Sequence, residues 1–90
     1  MSKKEYVITV TNTLEENIIG IKGNIWFGDN GTYSYISPAD IKSEEDTNIT
    51  FQTPSWVTIS PNGERKIYFY LITENEDFIP DVVLSALIEQ

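Results

Sequence analysis

The sequence contains no histidine and no cysteine, and its single arginine is Arg65. Without histidine it lacks the usual general base at neutral pH and the commonest metal ligand. Without cysteine as well, Ser-His and Cys-His nucleophile pairs are excluded, together with disulfides and thiolate-bound zinc. Packing and hydrogen bonds must therefore hold a short chain together unaided. Basic residues are also scarce, six against fourteen acidic ones, for a net charge of −8. Such a field repels phosphate backbones and anionic lipid, so direct nucleic-acid binding is not expected, whereas a basic protein partner would suit it. The same charge also serves ordinary solubility. No stretch approaches the ~18 apolar residues of a membrane span. The opening "MSKKEYVITV" alternates apolar residues with threonine, as a first strand does and a signal-peptide core does not. Absence of cysteine fits any compartment, so localisation is open.

Carboxylates are the remaining chemical resource. Glycoside cleavage needs two of them at a fixed separation, but Glu44 with Glu45, and Glu74 with Glu76, are expected in loops of a domain too small for a deep cleft. The oxygen-rich turns "GDNG" (Asp29, Asn30) and "ENED" (Glu74, Glu76, Asp77) lack the spacing of a calcium loop. No catalytic residue, metal ligand or cofactor is assigned, and the chain is not expected to be an enzyme.

What the chain does have is period-two alternation. In "EYVITVTN", Tyr6, Ile8 and Val10 share one face. "IIGIKGNIWF" places Ile19, Ile21, Ile25 and Phe27 on one face, and its two glycines predict a bend, bulge or close approach. "GDNG" is a hairpin signal. "TYSYI" follows, with Tyr33 and Tyr35 assigned to one face, and Pro38 closes it. The charged "ADIKSEEDT" reads as a surface loop. "NITFQT" directs Ile49 and Phe51 inward, and "WVTIS" reads as a further strand with Val57 and Ile59 opposite Trp56 and Thr58. After the turn at Pro61–Gly63, "RKIYFYLIT" is apolar on both faces, as a central strand would be. Residues 80–89 fit either a strand or one helical stripe; β-branched residues at their start favour the strand.

These readings make residues 1–90 one all-β domain, an immunoglobulin-like antiparallel β-sandwich of six to seven short strands, with a small partly open β-barrel as the alternative. The segment "TPSWVTISPNGERKIYFYLI" resembles a rhythm of bacterial immunoglobulin-like modules, a Ser-Trp pair followed by a Ser-Pro-x-Gly turn. That resemblance implies that Trp56 packs inside the sandwich and that Ser60, Pro61 and Gly63 deliver the next strand. "EYVITVTNTLEENIIGIKGNIWFG" resembles the opening of the aegerolysins, longer β-sandwich proteins that bind membrane lipids. Both likenesses cover short parts of the chain and share generic sandwich patterning, so no family is assigned.

The rings carry the functional expectations. Trp26 and Trp56 are expected in the core, leaving Tyr33, Tyr35, Tyr68 and Tyr70 as a candidate binding patch. The leading expectation is a non-catalytic protein-interaction or structural module, using strand edges for a protein partner or self-association, with the last strand as the first candidate. A carbohydrate-binding module using the tyrosines beside "GDNG" and "ENED" is the alternative. An acidic inhibitor or nucleic-acid mimic is a third.

Overall fold

The computed structural model describes residues 2–90. Seven strands run in chain order: β1 (Ser2–Thr11), β2 (Ile18–Trp26), β3 (Thr32–Ser37), β4 (Asp40–Glu44), β5 (Asn48–Gln52), β6 (Glu64–Thr73) and β7 (Asp81–Ile88). All neighbours pair antiparallel, giving a three-stranded sheet ordered β1-β6-β3 and a four-stranded sheet ordered β4-β5-β2-β7. The two sheets pack as a sandwich and do not close, which removes the barrel alternative. No helix occurs among the described residues, so none is long and apolar enough to cross a membrane.

Alternation builds the core. Ile67, Phe69 and Leu71 of β6 point inward between β1 and β3, against Ile21 and Ile25 of β2 and Ile49 and Phe51 of β5. Each such side chain contributes about 1.5–3 kcal/mol when fully buried. Gly23 lies directly across from Phe51, and a Cβ there would sit 2.5 Å from the ring. The glycine leaves the space that the phenylalanine fills. At Gly20 the register slips, with Ile19 as the extra residue; this is the bulge the two glycines predicted, and it turns Ile19 out of the inward face that strict alternation assigned to it, leaving it exposed.

The pairs β2–β5 and β3–β6 are also neighbours in an immunoglobulin constant-type sandwich, where second and fifth, and third and sixth, strands adjoin. The terminal strands have exchanged sheets. β1 lies beside β6 and β7 beside β2, so both ends of the chain form sheet edges.

Three local expectations are corrected. Asp40–Glu44 is a strand, not a loop: it pairs with β5 as an edge, around one extra residue at Lys42, and edges tolerate charge because one side faces water. Trp56–Ser60 is not a full strand, and Trp56 itself lies in a turn. Pro54 and Pro61 bracket a segment passing from one sheet to the other, and it makes a single bridge, Ile59 to Ile18. Val57 and Ile59 are nonetheless buried, as their alternation required. Finally, neither tryptophan is in the core: Trp26 is 46% and Trp56 64% exposed. Phe27, Phe51 and Phe69 occupy the interior, so the residues alternating with inward neighbours face out. Trp56 lies under the Arg65 guanidinium at 5.3 Å, and Trp26 lies over Gly28.

Candidate functional site

The outer face of the three-stranded sheet is set by β6, whose Lys66, Tyr68, Tyr70 and Ile72 alternate with its core residues. Register places Val7 and Ser37 on either side of Tyr68, and Glu5 and Tyr35 on either side of Tyr70. Tyr35 and Tyr70 approach with ring centroids 6.3 Å apart and planes inclined by 49°. The Tyr70 hydroxyl donates to the Glu5 carboxylate, and the Lys3 ammonium lies 5.9 Å from the same ring. Tyr70 is thereby held in place, whereas Tyr35 and Tyr68 offer their rings freely, at 55% and 40% exposure.

The fourth tyrosine is elsewhere. Ser34 is an extra residue between Tyr33, opposite Leu71, and Tyr35, opposite Tyr70. This bulge separates the two tyrosines that strict alternation assigned to one face. Tyr33 turns inward and packs against the core. Its hydroxyl pKa is raised by burial first, then by the nearby Glu44 carboxylate and Tyr35. Tyr70 is raised as well, chiefly because its hydroxyl proton is engaged by Glu5.

Next to the Tyr35–Tyr70 row lies the Thr32–Ile72 pair, which opens into a groove of about 470 Å³ lined by Asp29, Asn30, Gly31, Thr73, Glu74 and Asn75. The "GDNG" and "ENED" turns, remote in sequence, thus adjoin. Thr73 Oγ1 donates to the Asn30 carbonyl at 2.5 Å and accepts from the Asn75 N–H at 3.0 Å, joining the two turns. No three acidic side chains converge in metal-binding geometry among the described residues.

A second surface lies at the opposite sheet edge. β7 has a partner only on its β2 side, and from Val82 to Ile88 it carries no charge. Val82, Leu84 and Ala86 face the sandwich interior in register with Ile25, Gly23 and Ile21, and Val83, Ser85 and Leu87 face away. The three-stranded sheet leaves this strand incompletely covered, so the inward Val82 and Leu84 remain 36% and 37% exposed, while the outward Val83 is 68% exposed. An apolar groove of about 290 Å³ runs between the end of β1 and β7, lined by Val10, Leu14, Ile18, Ile21, Leu84 and Ala86 among others.

The other three edges are blunted by devices that prevent strand addition. β1 carries Lys3, Lys4 and Glu5, and the connection after β6 is fastened to it: Lys4 donates to the Glu76 carbonyl, and the Tyr6 hydroxyl to that of Phe78 at 2.7 Å. β3 has the Ser34 bulge and ends at Pro38, and β4 has the Lys42 bulge between charged residues. β7 has no such device: its side of the β2 ladder is regular, and the bulge there belongs to β2. The apolar composition of this strand is legible in the sequence, whereas its edge position depends on the exchange of terminal strands.

No protein-family model matches the chain, and no curated protein matches its sequence.

Proposed function

We propose that this chain is a non-catalytic protein-interaction module that receives an extended partner strand along the free edge of β7. The carrying observation is the contrast between edges. Three are guarded, while β7 offers a regular ladder, uncharged from Val82 to Ile88, with apolar side chains on both faces. Backbone groups on that edge would supply affinity, and the Val83 side and the Leu84 groove would select alternate side chains of the incoming strand. The absence of histidine and cysteine agrees with a binding role. Selection of a displayed random-peptide library on the immobilised chain tests the reading. Peptides with alternating apolar residues should be enriched, and Val83→Lys should abolish their binding. Enrichment of nothing, or equal binding by the variant, would refute it.

A second reading, carbohydrate binding, is favoured by one observation: the exposed Tyr35 lies in the row next to the Thr32–Ile72 pair of a groove bearing Asp29 and Glu74, with the exposed Tyr68 further along the same sheet face. Tyrosine faces stack on sugar rings, and carboxylates accept from hydroxyls. Ring-proton shifts of Tyr35 and Tyr68 on addition of glycans, lost in Tyr68→Ala, are expected. A silent glycan panel removes this reading.

A further inference from the structure

We infer that the strand received by β7 is β7 of a second copy of this chain, paired antiparallel about a two-fold axis through Leu84; this rests on the strand-addition reading above. A strand apolar on one face only would leave half of β7 in water. β7 itself is apolar on both faces, with Val82, Leu84 and Ala86 inward and Val83 and Leu87 outward, and so matches its own copy. Two-fold pairing is also the commonest way for a chain to meet itself.

Charge selects the register. Two copies at −8 each repel, so their contact must keep carboxylates apart. When antiparallel strands continue one sheet, the axis passes through a residue and facing positions have equal parity. An axis at Ser85 would set Asp81 opposite the copy's Glu89, two carboxylates on the same face. An axis at Leu84 sets Asp81 opposite Leu87 and Val83 opposite Ser85, and brings Val82 beside Ala86 and the two Leu84 side chains together. It also keeps Pro80, which has no N–H to give, at the end of the ladder. The apolar grooves of the two copies then meet across the axis, and the four-stranded sheets join into one sheet of eight strands, ordered β4-β5-β2-β7 and then its reverse.

A contact of one strand pair falls at the low end of specific interfaces, below about 1,200 Å². The association is therefore weak, with a Kd of about micromolar or above. Sedimentation equilibrium of the full chain from micromolar to millimolar should show a mass rising toward twice that of the chain. Leu84→Lys, which places two ammonium groups at the axis, should weaken association at least tenfold with an unchanged circular-dichroism spectrum, and so should Val83→Lys should the first variant fold poorly. Because the chain has no cysteine, single introduced thiols report the register without interference. With a short bifunctional thiol reagent, Leu84→Cys should crosslink to itself, and Val83→Cys should crosslink to Ser85→Cys in a mixture but not to itself. A strict monomer at millimolar concentration, or Ser85→Cys alone crosslinking to itself, would overturn the inference. A monomer that still binds displayed peptides through β7 loses only self-pairing; a monomer that binds none loses the strand-addition reading as well.

Discussion

The side-chain amide of Asn12 donates to the carbonyl of Ile59 at 2.9 Å, linking the end of β1 to the segment that crosses between the sheets. The same amide donates to the Glu16 carbonyl at 2.8 Å, and its oxygen accepts from the Leu14 N–H at 2.9 Å. Asn12 is fully buried, and no buried side-chain polar atom lacks a partner among the described residues. Asn12→Ala removes three bonds, so a loss of roughly 2–4 kcal/mol is expected: about 1–3 kcal/mol for the buried Ile59 carbonyl left unsatisfied, and less for the part-buried Glu16 carbonyl and Leu14 N–H. Urea unfolding should show a lower midpoint with an unchanged slope.

Gly23→Ala places a methyl group 2.5 Å from the Phe51 ring and 2.8 Å from Leu84 Cδ2. Phe51 is enclosed on all sides and cannot withdraw. Overpacking of this kind costs about 1–3 kcal/mol. Denaturant unfolding should register that loss, and the Leu84 methyl resonances should shift because β7 is the softer neighbour. A fully stable variant with unmoved Leu84 signals would contradict the packing described.

Tyr6, Tyr33 and Tyr70 all have hydroxyl pKa values raised above the ordinary 10.0, Tyr6 and Tyr33 chiefly by burial and Tyr70 by its hydrogen bond to Glu5. The folded state thus holds these protons more tightly than the unfolded chain does. Their contribution to stability is complete below pH 10 and is lost as pH climbs through the raised folded values. Stability should decline above pH 10, and ring-carbon titration by NMR should place the three midpoints above it. Glu5→Gln should lower the Tyr70 midpoint and leave that of Tyr6 unchanged.

Trp26 and Trp56 both face solvent. Native fluorescence should accordingly be open to acrylamide quenching, and unfolding should alter it little. Arg65→Ala removes a cation–π contact at 5.3 Å from Trp56 and is expected to cost about 0.5–1 kcal/mol.

Much of the sandwich is legible in one dimension because side-chain direction alternates with chain position. The inward residues Ile49, Phe51, Ile67, Phe69 and Leu71, and the outward Tyr68 and Tyr70, follow from that period alone. Turn chemistry is equally local. Pro61 and Asn62 precede Gly63, whose N–H closes the turn on the Ser60 carbonyl at 2.8 Å, and Asn62 adopts the φ of 68° that such a turn needs. Alternation fails wherever a residue is added to one strand without a compositional sign. Ser34 separates Tyr33 from Tyr35 in this way, and one tyrosine leaves the candidate patch. The role of Asn12 is illegible for a related reason: it is one asparagine among several in polar turns until Ile59 is brought to it.

Local alternation and turn-forming residues dictate that this polypeptide makes paired strands around an apolar interior, since both act within a few positions of the chain. Which strands become neighbours is a long-range choice. Placing β1 beside β6 and β7 beside β2, joining "GDNG" to the turn after β6 through the β3–β6 pair, and leaving Asp81–Ile88 with an open edge all depend on which set of strand pairings best closes the shared core, a comparison made only when every strand is present.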